Sequence, residues 1–177
     1  MIMRVVLVPA LLLLLASPSK LLTTNAKQTA VSGSQVQWHF FNADQIAWRD
    51  GPSSLLPGAK IAILEGDPTK EGFFTMRLKL PSGYRVFPHW HPRTERLTII
   101  SGMMNLGSGE RFDPNATNPL SAGTYSSMPP KMAHFAWMSG ETVIQLSSLG
   151  PWEVVYVNSA DDPRMRQNSR SAACGSE

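Results

Sequence analysis

His89, His91 and Glu95 fall within seven residues of one another, in the stretch that runs from Gly83 to Gly102. Neutral imidazole nitrogens and carboxylate oxygens are donors that borderline divalent metals accept. The chain holds four histidines in all, so two of them separated by a single residue form a concentration. In an extended strand, side chains two apart project from one face. His89 and His91 would then stand side by side while Trp90 turns away. The chemistry this spacing points to is a metal site on a β scaffold.

That scaffold must come from short strands. Gly and Pro punctuate the chain throughout, and no stretch keeps a period near 3.6 over several turns. Val36 to Phe40 alternates loosely and includes His39, expected as a strand or surface residue. Ile46 to Trp48 follows, then a breaker-rich loop from Asp50 to Gly58, then a strand from Lys60 to Glu65. From Phe74 onward, alternation puts Phe74, Met76, Leu78 and Leu80 on one face and Thr75, Arg77 and Lys79 on the other. Tyr84 to His91 is the next strand, interrupted at Pro92. Glu95, Leu97 and Ile99 share a face of the one after it, and Met103 to Leu106 follows a turn at Gly102. The polar run from Gly107 to Ala122 is expected as a connecting loop with room for one helical turn. Strands resume at Thr124 to Met128, His134 to Met138, Thr142 to Ser148 and Trp152 to Val157. About ten short strands without helices predict an all-β barrel or sandwich.

With 177 residues and 42% hydrophobic content, the chain is long enough for one domain with a substantial core. Met1 to Ala16 carries one charge, Arg4, ahead of an apolar run that ends in Leu11 to Leu15. This is the form of a secretory signal peptide, and it is shorter than the roughly 17 residues that span a bilayer. Cleavage is expected after Ala26, with Ser17-Pro18-Ser19 as an earlier option. That assigns the product to a secreted or periplasmic location with no stable membrane anchor. Loss of Arg4 and Lys20 from 16 Lys and Arg leaves 14 against 13 Asp and Glu. A nearly neutral chain has no electrostatic footprint for nucleic acid, and Arg164, Arg166 and Arg170 read as a solvated tail. Cys174 is the single cysteine, which excludes an intrachain disulfide and a thiolate metal site. The expected divisions are a signal peptide over 1–26, a lead-in with first strands over 27–58, a barrel over 59–158 and a C-terminal tail over 159–177.

The spacing over Gly83 to Gly102 is Gly, five residues, His-x-His, three residues, Glu, six residues, Gly. It resembles the first sequence motif of the cupins. The segment from Gly123 through Pro129 to His134 resembles the second. There Lys131 stands where the cupin pattern has glycine, and Met138 where it has asparagine. The 20 residues between the motifs suit a small single-barrel member. His-Trp-His-Pro, Leu-Gly-Ser-Gly-Glu-Arg-Phe-Asp-Pro and His-Phe-Ala-Trp are similar to stretches of small secreted bacterial cupins. The resemblance covers about residues 60 to 158. It implies a single-domain jelly-roll barrel of six to eleven strands, a monocupin. Inside it a divalent metal (Fe, Mn, Ni or Zn) would be held by His89, His91, Glu95 and His134.

The residue chemistry agrees with that implication. Three imidazoles and a carboxylate are more polar groups than a barrel can bury unpartnered, since each costs a few kcal/mol. One divalent cation would satisfy all four and leave a net charge of about +1, suited to an anionic substrate oxygen. Octahedral Mn²⁺, Fe²⁺ or Ni²⁺ with four protein donors keeps two open positions, for substrate and for water or dioxygen, whereas four-coordinate Zn²⁺ is closed and structural. The expected function is an oxygenase-type reaction on a small molecule, with Glu95 also available as a base. The alternatives are an isomerase or lyase using the metal as Lewis acid, or a non-enzymatic module binding metal or a small ligand. Met138 shares the face of His134 and is expected to wall the substrate pocket or fill the core. Trp90, Phe135 and Trp137 have the opposite parity and are expected outside, where a homodimer contact could form. Arg93 and Arg96 would lie near the mouth and attract an anion. Without a metal, these would be ordinary strand histidines and Glu95 a surface carboxylate. Neither a Gly-x-Ser-x-Gly elbow nor a phosphate-cradling loop occurs.

Overall fold

A computed structural model describes Trp38 and residues 40–166. The chain divides into two units, residues 1–38 and 39–177, and all that follows concerns the second. The expected signal segment, His39 with most of the strand expected around it, Arg170 and Cys174 lie outside the described residues. Eleven strands are described. They are β1 (Arg49–Asp50), β2 (Lys60–Glu65), β3 (Gly72–Leu80), β4 (Arg85–Trp90), β5 (Glu95–Ser101), β6 (Met103–Ser108), β7 (Asn118–Ser121), β8 (Tyr125–Met128), β9 (His134–Met138), β10 (Thr142–Gly150) and β11 (Val155–Tyr156). They pair antiparallel into two sheets, in the orders β1-β2-β3-β10-β5-β8 and β11-β4-β9-β6-β7. The fold is all-β, as the strand pattern predicts, and a jelly roll, as the cupin resemblance implies.

Alternation decides which faces meet. In β3, Phe74, Met76, Leu78 and Leu80 are buried and the residues between them are not. β5 buries Glu95, Leu97 and Ile99, and β10 buries Ile144, Leu146 and Ser148. Met104, Ala136 and Met138 meet them from the other sheet in one apolar cluster, each large side chain contributing roughly 1.5–3 kcal/mol. Phe135 packs on the outer face of its sheet. Its ring lies 5.3 Å from that of Phe112 and occupies the space a side chain at Gly107 would need.

Three local features depart from the pattern read off the sequence. Ile46 to Trp48, expected as a strand, is irregular chain between a 3-10 turn over Ala43–Gln45 and the two-residue strand β1. The polar 107–122 run contains β7, which pairs with β6 through Met104↔Leu120. It is an edge strand in which only Leu120 is partly covered, so it has no alternation to betray it. The third departure is in β4. Val86 pairs with Ala136 and His89 with His134, so Phe87 and Pro88 on one strand stand against Phe135 alone on the other. This β-bulge at Phe87-Pro88 lets Val86 and His89 both face inward despite their opposite parity, and a proline is tolerated at such a place.

Candidate metal centre

Four elements deliver the four polar groups. β4 carries His89, the turn just beyond it His91, β5 opens on Glu95 and β9 opens on His134. His89 and His134 are direct cross-strand partners. All four are buried, none more than 5% exposed. The ring centroids lie 4.8 Å apart for His89–His91, 4.3 Å for His89–His134 and 5.3 Å for His91–His134. One nitrogen from each ring falls within 4.8 Å of the others, a grouping that could hold a metal ion. Glu95 Oε2 lies 3.2 Å from His134 Nε2 and 3.5 Å from His91 Nε2. All four residues singled out by spacing are therefore brought together.

The outward nitrogen of every ring is held by the main chain. Nδ1 lies 2.7 Å from the Phe87 carbonyl in His89, 2.7 Å from the Glu153 carbonyl in His91 and 2.9 Å from the Met132 carbonyl in His134. A carbonyl oxygen can only accept, so Nδ1 carries the hydrogen and the neutral rings present an Nε2 lone pair inward. His91 Nε2 is buried with no hydrogen-bond partner among the described residues. An orphan of this kind costs about 1–3 kcal/mol, and a shared cation would relieve it. The donor set fits a divalent ion, with the supporting bonds that metal-ligating histidines ordinarily have.

Burial holds the His89 imidazole well below its ordinary value, reinforced by the neighbouring His134 and His91. Burial also lowers His91, more strongly than Glu95 and the Glu153 carbonyl raise it. His134 is raised: burial works against its charged form but is outweighed by the hydrogen bond and charge of Glu95, with help from the Met132 carbonyl. The Glu95 carboxylate thus favours the protonated form of His134.

The surroundings supply what spacing could not show. Trp152 stacks on His91 at 3.9 Å and 20°, and Tyr156 lies 5.9 Å from His89. The Tyr156 hydroxyl donates to the Ser54 carbonyl at 2.7 Å; burial pushes its phenol up to about 12, reinforced by the charge of Asp162. The fully buried Ser148 donates to the Thr94 carbonyl at 2.8 Å and so fixes the turn that leads into Glu95. Main-chain carbonyls carry no residue signature; the aromatic residues after Pro151 were the one available signal.

A cavity of about 260 Å³ opens from the four groups into the barrel. Met138 is fully buried and lines it, as its shared face with His134 predicts. Arg93 and Arg96 do not line it: both are exposed, and Arg96 alternates outward between Glu95 and Leu97. The arginines that do are Arg49 and Arg164. Arg164 is thereby removed from the solvated tail, since its guanidinium is held by Asp162 and by the Val154 carbonyl. Phe135 is 1% exposed and covered by its own chain, while Trp90 and Trp137 are half-buried.

Residues 14–155 match the model of a family described as a domain of unknown function, DUF4437. No curated protein matches the chain. Among solved structures, the polyketide cyclase RemF from Streptomyces resistomycificus is similar at 13% identity, with 75% of this chain and 94% of that one covered and a TM-score of 0.60. An acetylacetone dioxygenase from Acinetobacter johnsonii is similar at 15% identity over 67% and 76%, with a TM-score of 0.52. An RmlC-like cupin from Shewanella frigidimarina is similar at 16% identity over 65% and 94%, with a TM-score of 0.50. At these identities the likeness shows the fold, which is that of the cupins.

Proposed function

The chain belongs to the DUF4437 family, a cupin-like domain of unknown function, and from that footing we propose that it is an exported metal-dependent enzyme. Its substrate would be a small molecule and its reaction of the oxygenase type. The observation that supports this most is the set of three inward Nε2 atoms, each backed by a main-chain carbonyl on Nδ1. His89, His91, Glu95 and His134 would hold the ion. When bound, a divalent ion there supplies Lewis acidity to a substrate oxygen.

The remaining work falls to the chain's own groups. The carbonyls of Phe87, Glu153 and Met132 fix ring orientation and tautomer, so little reorganisation is needed when the donors are engaged. Trp152, stacked on His91, covers one side of the site from water. Glu95 Oε2, 3.2 Å from His134 Nε2, is placed to accept a proton and pass it on. That same placement favours a second reading, a metal-dependent isomerase or lyase. The fold alone does not choose, because an acetylacetone dioxygenase and a polyketide cyclase both share it.

The test is dioxygen uptake by Fe²⁺- or Mn²⁺-reconstituted protein over a panel of small enolisable acids and ketones. Uptake that disappears in His91→Ala is the expected result. Turnover that persists without dioxygen selects the isomerase or lyase, and bound metal with no turnover at all leaves a binding module.

A further inference from the structure

Among the side chains that β2 to β10 turn into the cavity, the hydrogen-bonding ones lie at one end. The strand register arranges the inward side chains in tiers. His89 lies opposite His134 across β4 and β9, and Glu95 opens β5 beside them. One tier further in, Met76 and Leu97 flank Leu146 on neighbouring strands. Beyond them Leu78 pairs with Ile144, and Met104 pairs with Met138 from the other sheet. All of these line the cavity, and none has a hydrogen-bonding side chain. A hydroxyl or amide on a ligand lying along these tiers would exchange its water for hydrocarbon and lose free energy each time.

Charge narrows the other end of the ligand. Three neutral imidazoles, one carboxylate and one divalent ion sum to about +1, a charge that a single acidic oxygen balances. At the mouth, Arg164 is already engaged by Asp162 and the Val154 carbonyl. Arg49 and Glu153, both exposed, also line the cavity and carry opposite charges, so the preference for an acid comes from the metal end. The volume of about 260 Å³ limits the ligand to a small molecule.

We infer that the site takes a small apolar acid: an aliphatic or aromatic body along the Leu and Met tiers, with one acidic oxygen turned to the His89–His91–Glu95–His134 end. The direction of the acid rests on the metal-centre reading proposed above; the preference for an apolar body rests on the walls alone. Met76, Met104 and Met138 suit this class, because flexible thioethers adapt to ring or chain shape and make favourable contacts with aromatic edges. Sugar acids of the same charge are disfavoured by the same walls.

The test compares benzoate and cyclohexanecarboxylate with gluconate, all singly charged, on the metal-free and Co²⁺-loaded protein. Saturation-transfer NMR and calorimetry give the affinities. Both apolar acids are expected to bind at least about tenfold tighter than gluconate in either form, and tighter with Co²⁺ than without. Ala136→Leu and Met104→Phe narrow the cavity without touching the four donors. Each, if its melting curve stays cooperative, should weaken benzoate about fivefold or more. Gluconate binding as well as benzoate, no benzoate binding, or unchanged benzoate affinity in whichever variants fold would overturn the inference. If Co²⁺ binds without tightening benzoate, the metal-centred anchoring of the acid fails, while an apolar preference in the metal-free protein still supports the walls.

Discussion

Lys131 has φ +63° in the turn where the cupin pattern carries glycine. Its amide donates to the His91 carbonyl at 2.8 Å, so this left-handed residue links the two histidine segments. An L residue in that region costs about 1–2 kcal/mol relative to the right-handed one. The side chain is exposed and makes no hydrogen bond or ion pair among the described residues that could offset the cost. Lys131→Gly removes the strain but adds freedom to the unfolded chain, worth roughly 0.5–1 kcal/mol. Taken at the midpoints of the two ranges, the net gain is about 0.75 kcal/mol. Taking ~2.1 cal/mol/K of unfolding entropy per residue over residues 40–166, this raises Tm by about 2–4 °C. Calorimetry and urea unfolding of the metal-free protein measure it, with Lys131→Ala as the control that keeps the Cβ and should gain nothing. A lower Tm for the glycine variant, or an equal rise for alanine, would refute the reasoning.

Proton counting gives a second prediction. His134 is raised, so its pairing with Glu95 stabilises the metal-free fold below the ordinary value of 6.5 and is lost as pH rises through the folded value. His89 and His91 are lowered, so their burial costs stability as pH falls below 6.5. A metal needs all three rings neutral. At any pH low enough for His134 to keep its proton, metal binding should release that proton, and the apparent affinity should climb about tenfold per pH unit below the His134 value. Calorimetry in two buffers of different ionisation enthalpy counts the proton; Glu95→Gln should bring the count toward zero, and release of two or more from the wild type would contradict the assignment. Ser148→Ala removes the bond to the Thr94 carbonyl. It should cost about 1–2 kcal/mol in urea unfolding and about tenfold in metal affinity by chelator competition, and unchanged affinity would mean that the Thr94 turn does not position Glu95.

Much of the barrel was legible because its strands are buried on one face only. Phe74 to Leu80 and Glu95 to Ile99 alternate in sequence as they do in burial. The four donors were legible for a related reason: histidine is scarce in this chain, and its His-x-His spacing and recurrence across the 20-residue gap are informative. What escaped lacks any such periodicity. β7 is an edge strand with a polar exterior, and the Phe87-Pro88 bulge changes parity without changing composition. The carbonyls of Phe87, Met132 and Glu153 act through the backbone. Arg164 joins the cavity wall only because the chain folds back after Asn158 to reach the Val154 carbonyl, a contact between residues with no common pattern.

The central claim is that one divalent ion is gripped jointly by His89, His91, Glu95 and His134. Elemental analysis of the purified protein beside His91→Ala and His134→Ala tests it most directly. About one divalent metal per wild-type chain, with little or none in either variant after identical preparation, is the predicted result. Equal metal in all three proteins, or a wild type that binds no divalent ion when titrated, would contradict it.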